Sequence, residues 1–214
     1  MALAQSPRIY VLAGVNGSGK SSIAGAAFRE HGADYYNPDE VARKLRTANP
    51  ALSQSDANSA AWRRGFDLLK NAIEQRLDFA FESTLSANSI PRALAQAADS
   101  GFEVYVWYAG LATPDLNLAR VRSRVLRGGH DIPEAAIRRR FEHSRLNLIA
   151  LMPKLAALRI YDNSDDADPA TGHSPVPLLL LHMVRGKIVD CIDIQSAPEW
   201  AKPLLAAAYG LQNT

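Results

Sequence analysis

Residues 14–21 place a glycine, four residues, a second glycine, a lysine and a serine in succession. Such a loop can cradle phosphate: glycines let backbone N–H groups close on an anion, the lysine adds a point charge, and the hydroxyl can ligate a divalent cation. Gly14, Asn16, Gly17, Ser18, Gly19, Lys20, Ser21 and Ser22 are the expected nucleotide-binding residues. Lys20 would bridge the β- and γ-phosphates of ATP, and Ser21 would be a ligand of Mg²⁺. The lysine-serine pair and the glycine spacing fit a dinucleotide-binding turn poorly.

Binding a nucleoside triphosphate does not specify what becomes of its γ-phosphate. Asp39 follows a short apolar run and is placed where a carboxylate can take the proton of a substrate hydroxyl. Its plainer role is that of a helix N-terminal acid favoured by the macrodipole, with Glu40 beside it. Glu82, Ser83 and Thr84 end another apolar run and are the expected contacts to an acceptor, with local turn capping as the alternative. Eight arginines and three acids lie between Arg120 and Arg145. Arg120, Arg124 and Arg127 share one helical face at i, i+4 and i+7, ahead of Gly128 and Gly129. With Arg140 they read as a lid that neutralises a transferring phosphoryl group, although any single arginine there could simply be solvated. On the following helix, Ile137, Phe141, Leu148 and Met152 mark a buried stripe. At 100° per residue, that stripe turns Arg139 to solvent and brings Arg140 to within about 60° of it.

These residues need a scaffold that brings distant loops together, and the chain supplies alternating apolar runs and helical periods without internal repeats. Strands are expected at 9–13, 33–36, 79–82, 102–108 and 158–161. Helices are expected at 20–30, 39–46, 60–76, 89–101, 113–128 and 133–152, with Pro38, Pro114 and Pro133 near helix starts. Residues 163–177 read as a surface loop, 178–184 and 187–194 as a hairpin around Arg185 and Gly186, and 198–209 as a last helix. The expected architecture is α/β, a three-layer fold of the phosphate-loop class with a five-stranded parallel sheet. A lid at about 112–152 and a C-terminal hairpin and helix at about 178–210 complete one domain over residues 1–214.

The 214 residues carry a formal net charge of +2, too little to make nucleic acid the default partner. One cysteine, Cys191, excludes an intrachain disulfide. It reads as a small buried strand residue in a protein of a reducing cytosol. The longest apolar stretch, 176–184, is far short of a membrane span, so no membrane partner is expected. The acidic run Asp162, Asp165, Asp166 and Asp168 lacks the spacing of a calcium loop. The five histidines show no metal-ligand spacing.

The ordered set formed by the phosphate loop, residues 36–40 (Tyr-Asn-Pro-Asp-Glu), 81–84 (Phe-Glu-Ser-Thr) and 128–133 (Gly-Gly-His-Asp-Ile-Pro) resembles the zeta toxin family of kinases over about residues 8–163. The resemblance implies ATP-dependent phosphorylation of a sugar hydroxyl on a UDP-linked amino sugar, UDP-N-acetylglucosamine in the toxins. By position it makes Lys20 the loop lysine, Asp39 the catalytic base, and Glu82 with Thr84 the sugar-contacting strand end. The family's lid arginines are carried to Arg120 and Arg127, with Arg124 and Arg140 as rivals. It also implies a strand order of 2-3-1-4-5, by analogy with small phosphate-loop kinases. Two departures stand out: Ser83 replaces a small glycine, and only seven residues precede the first strand, which sets the expectation that no antitoxin partner is carried. The Gly-Gly-His segment is typical of the family's stand-alone chromosomal relatives. A kinase of nucleic-acid 5′-hydroxyls and a nucleotide-dependent regulatory module without catalysis remain the alternatives.

Overall fold

Ile9, Val11 and Ala13 pack into the larger apolar cluster while Tyr10 and Leu12 pack into a second one, so the first strand, β1 (Arg8–Ala13), is buried on both faces. A computed structural model describes residues 6–20, 23, 35–165 and 176–212 of the chain. After β1 come α1 (Pro38–Ala48), α2 (Gln54–Glu74), β2 (Phe79–Ser83), α3 (Ser89–Asp99), β3 (Glu103–Gly110), α4 (Pro114–Leu126) and α5 (Glu134–Leu151). A 3₁₀ turn (Met152–Lys154), β4 (Ala157–Asp162), β5 (Leu178–Val184), β6 (Lys187–Cys191) and α6 (Lys202–Gln212) follow.

The strands form one sheet in the order β2-β1-β3-β4-β5-β6. The first four are parallel and the last two antiparallel. The expectation of a five-stranded parallel sheet is corrected accordingly. The 178–191 hairpin adds two strands to the open side of β4, because a two-residue turn returns the chain antiparallel and supplies backbone partners for that edge. Of the strand expected at 33–36, residues 33 and 34 lie outside the described residues. Tyr36 makes a parallel bridge to Phe81, its N–H donating to Ala80 and its carbonyl accepting from Glu82. The expected helix at 20–30 lies almost wholly outside the described residues, as do 166–175 of the expected loop.

Helix ends follow their local chemistry. Asn37 caps α1, its side-chain oxygen accepting from the N–H groups of Asp39 (2.9 Å) and Glu40 (3.2 Å), with Pro38 at the first helical position. Ser53 caps α2 through Asp56, so that helix starts six residues before the expected position. Thr113 caps α4 through the Leu116 N–H. Leu118 and Val121 of α4, Ile137 of α5 and Ile132 from the connection between them pack against Val15, a residue of the phosphate loop itself. The lid is thereby seated on the loop by an apolar contact, not by charge alone. Cys191 is only half-buried at the end of β6, because that strand is the outer edge of the sheet and covers nothing beyond it.

Candidate active site

The loop after β1 emerges between β2 and β3 at the carboxyl ends of the parallel strands, where open α/β sheets leave a crevice. Gly14 and Gly17 have φ of 143° and 83°, which disfavours side chains, and a Cβ at Gly17 would come within 2.6 Å of the Asn117 carbonyl oxygen. Three hydrogen bonds set the loop's shape. Asn117 Nδ2 donates to the Asn16 carbonyl (2.8 Å), Asn163 Nδ2 donates to the Ser18 carbonyl (2.9 Å), and the Gly14 N–H donates to the Ser83 carbonyl (3.1 Å) from the neighbouring strand. Lys20 folds back over the loop, its Nζ 2.8 Å from the Gly14 carbonyl and 3.3 Å from Glu82 Oε1. Ser21 and Ser22 lie outside the described residues.

Glu82 connects the two sides of the crevice. One carboxylate oxygen meets Lys20, and the other accepts from Asn37 Nδ2 at 3.1 Å. Since Asn37 also caps α1, the strand end, the loop lysine and the helix bearing Asp39 are held by one carboxylate. Asp39 stands on the first turn of α1, its Oδ2 3.4 Å from Arg124 NH1. Thr84 Oγ1 pairs with Ser86 Oγ (2.8 Å), and the Thr84 carbonyl accepts from the buried Ser144 hydroxyl (2.6 Å), which also pairs with Tyr108. Burial pushes the Tyr108 hydroxyl up to about 12, so it stays protonated in that chain of hydrogen bonds. The Ser83 hydroxyl is turned away, accepting from the Leu85 N–H.

The arginines do not act as one face. Arg140 crosses from α5 to the loop and donates to Asn16 Oδ1 at 2.6 Å, while Arg139 is exposed, as the helical phase predicts. Burial, with Arg139 adding to it, draws the Arg140 pKa below the ordinary arginine value. Arg124 lies between Asp39 and the His130 carbonyl. Arg120 donates to the Asn163 and Asp165 carbonyls, both at 2.8 Å. Arg127 is exposed and turns back onto Ser123 of its own helix. Arg127 is the C-cap of α4, one residue before Gly128, whose φ of 89° turns the chain.

Two open cavities meet at Asp39, Gln54 and His130. One, of about 510 Å³, is lined by Asn16 and Arg140 from the loop side and by Asp39 and Thr84 from the other. The second, of about 730 Å³, is lined by Arg43, Arg46 and Arg124. His130 stands at both; burial holds its pKa below the ordinary histidine value, although Asp39 pulls the other way. Asn117, Asn163 and Ser144 stand at the site outside every motif, and Asn37 and His130 lie within motifs that assign them no role of their own. Asn37 had a legible signal, an asparagine before Pro-Asp at a helix start. Asn117 and Asn163 had none, since each acts across more than 100 residues of chain. Among the described residues no group of three His, Cys, Asp or Glu side chains could hold a metal ion.

A phosphate loop at the centre of a mostly parallel sheet, under an arginine-bearing helical pair, defines a protein of the phosphate-loop kinase-like class. The zeta toxin family matches residues 2–168, and the chain belongs to that family. An uncharacterized protein of Haemophilus influenzae is 36% identical over 129 residues, covering 60% of this chain and 88% of its own. AvrRxo1-ORF1 in complex with ORF2 and ATP superposes with a TM-score of 0.66 at 16% identity, covering 96% of this chain; the chain spans 64% of that protein's length. The PezAT toxin-antitoxin system of Streptococcus pneumoniae gives a TM-score of 0.55 at 15% identity, covering 98% of this chain and 87% of the other. At such identities the likeness is one of fold. Both structures come from systems with a protein partner, so the expectation that no antitoxin is carried gains no support from them.

The arginine contacts set an order of expected mutational effects. Arg140→Ala is expected to lower kcat by about 10²-fold, the effect of deleting one preorganised donor, whereas Arg139→Ala should stay near wild type, as exposed substitutions do. Arg127→Ala should fall close to Arg139→Ala. Steady-state kinetics with melting temperature as a folding control decide it. Equal losses at Arg139 and Arg140 in folded proteins would remove Arg140 from the site.

Proposed function

We propose that this chain is an ATP-dependent phosphotransferase whose acceptor is the hydroxyl of a small molecule, a UDP-amino sugar such as UDP-N-acetylglucosamine. The observation that supports it most is the 510 Å³ cavity, which touches Asn16 and Arg140 beside the phosphate loop and also Asp39 and Thr84. An acceptor seated there has a carboxylate on one side and the nucleotide-binding loop on the other. That geometry suits transfer to a bound hydroxyl better than a nucleotide switch. The loop's glycines and inward-folded lysine fit a polyphosphate, and Mg²⁺, with Ser21 as its expected ligand, would neutralise charge on the β- and γ-oxygens.

In this reading the loop N–H groups and Lys20 hold the γ-phosphoryl group, and Asp39 accepts the proton as the acceptor oxygen bonds to phosphorus and the bond to ADP breaks. Arg140 and Arg124 stabilise the charge on the transferring group. Glu82 keeps Lys20 and the Asp39 helix in register, and Thr84 borders the acceptor. Ser83 serves through its carbonyl, which holds the loop. The whole of 1–214 acts as one kinase unit, in a reducing compartment. Among the described residues no helix is long and apolar enough to cross a membrane.

The test is transfer of labelled γ-phosphate across UDP-N-acetylglucosamine, free sugars, nucleosides and oligonucleotides. The expected result is a labelled sugar nucleotide. Labelling of oligonucleotide 5′ ends would replace the acceptor, and ATP consumption independent of every acceptor would overturn the kinase reading.

A further inference from the structure

Trp200 lies between β6 and α6, beyond the residues matched by the family, and is 3% exposed. A Cβ at Gly110 would come within 2.1 Å of its ring, so the end of β3 admits the indole only because a glycine stands there. The Trp200 carbonyl accepts from Arg145 of α5 at 3.2 Å. Packing of this kind would be served by any large apolar ring. An indole brings a donor as well, and Trp200 Nε1 is buried with no hydrogen-bond partner among the described residues. Folded proteins leave few such groups unpaired.

Three further side-chain atoms share that condition among the described residues: Arg124 Nε, away from the cavity that Trp200 lines, and Ser18 Oγ and Asn117 Oδ1, in residues 1% and 0% exposed. The Asn117 amide is not free to turn over, because its Nδ2 holds the Asn16 carbonyl. Trp200, Ser18 and Asn117 line the same small cavity, with about 10 Å³ of room. One water needs on the order of 10–15 Å³ by that measure. The chemistry of the three atoms is complementary: an indole N–H only donates, an amide oxygen only accepts, and a hydroxyl does either. A molecule with two hydrogens and two lone pairs satisfies all of them. A cation would face the indole N–H, and an apolar group would leave all three unpaired.

We infer that Trp200, Ser18 and Asn117 hold one internal water, and that through it the C-terminal segment positions the phosphate loop. Asn117 and Asn163 tether the loop's carbonyls from α4 and the end of β4. The water ties the Ser18 hydroxyl of the loop to a segment outside the family-matched region. Trp200 is thus a positioning residue, and its loss acts on nucleotide binding before it acts on the chemical step. The second half of the inference rests on the phosphate-loop reading; the water site itself does not.

Two measurements test it. A high-resolution crystal structure of the full chain is expected to show density within about 3 Å of all three atoms; a dry cavity overturns the inference. Trp200→Phe is expected to weaken ATP binding by titration about five-fold, the effect of one lost hydrogen bond, with kcat at saturating ATP within two-fold of wild type. Leu204→Ala, a buried change in the same segment, serves as the control for lost stability and should leave ATP affinity unchanged. Equal ATP affinity in the two variants, or a Trp200→Phe protein that does not fold while the cavity is dry, sinks the positioning role. Should wild-type protein bind no ATP at all, the phosphate-loop reading fails and the proposed positioning fails with it, while the density still decides the water site.

Discussion

Lys20→Ala is expected to abolish detectable phosphoryl transfer, a loss of at least about 10³-fold in kcat, and to weaken ATP binding severely. The ammonium group is buried, 2.8 Å from the Gly14 carbonyl and 3.3 Å from Glu82, so it is already held over the loop before any phosphate arrives. A charge held in place costs no reorganisation when the γ-phosphoryl group develops its charge. Arg140 does reach the loop, but its guanidinium is engaged with Asn16 Oδ1 on the lid side and cannot take the lysine's position. The same substitution leaves Glu82 with Asn37 Nδ2 as its partner, so some stability is lost too. Lys20→Ala combined with Glu82→Gln removes that unpaired charge. Activity should stay absent in the double variant while the melting temperature recovers. Labelled-phosphate transfer, ATP titration and thermal melting together check the result, and normal turnover in folded Lys20→Ala would remove the phosphate-loop reading.

Asp39→Asn is expected to lower kcat by about 10² to 10⁴-fold, the range for losing a general base, with ATP affinity nearly unchanged. The amide keeps the shape of the carboxylate but cannot take the hydroxyl proton. The Asn37 cap of α1 binds the backbone N–H of Asp39, not its side chain, so the helix start survives the change. The substitution does break the 3.4 Å ion pair with Arg124, but both side chains are more than a third exposed, and exposed pairs contribute little stability. Glu40→Gln is the matched control: it removes the neighbouring acid, which is exposed on the same helical turn, and should leave kcat close to wild type. Activity within a few-fold of wild type in Asp39→Asn would make Asp39 only a helix-terminal acid.

The C-terminal hairpin shows where reading by local pattern stops. Residues 178–184 and 187–194 read as two strands around Arg185-Gly186, and they are β5 and β6, the second ending at Cys191, three residues before the expected end. That they join the parallel sheet beside β4 depends on which edge lies open after β3 and β4 have paired, a question of backbone partners far apart in the chain. Helix α2 was expected too late because the periodicity begins clearly at residue 60, whereas its Ser53 cap lies in a polar stretch whose helical character comes from capping.

Much of the site was already determined by the amino-acid sequence, because its chemistry is local. The phosphate loop is a run of consecutive residues whose glycines and lysine act through backbone conformation, and Gly14 and Gly17 take the positive φ angles that their type permits. The phase of α5 is equally local: Ile137, Phe141, Leu148 and Met152 are buried, and Arg139 faces solvent. What only the tertiary structure decided was the pairing of groups across the fold. Arg120, Arg124 and Arg127 have the same type and helical face, yet they meet a backbone turn, a carboxylate and their own helix, because each stands at a different height relative to the crevice. Asn117 and Asn163 carry no motif, and their contacts with the loop exist only because the fold places residues far apart in the chain side by side. A hydrogen bond needs its two atoms within about 3 Å, and for groups so distant in the chain that distance is set by packing, not by spacing along the sequence.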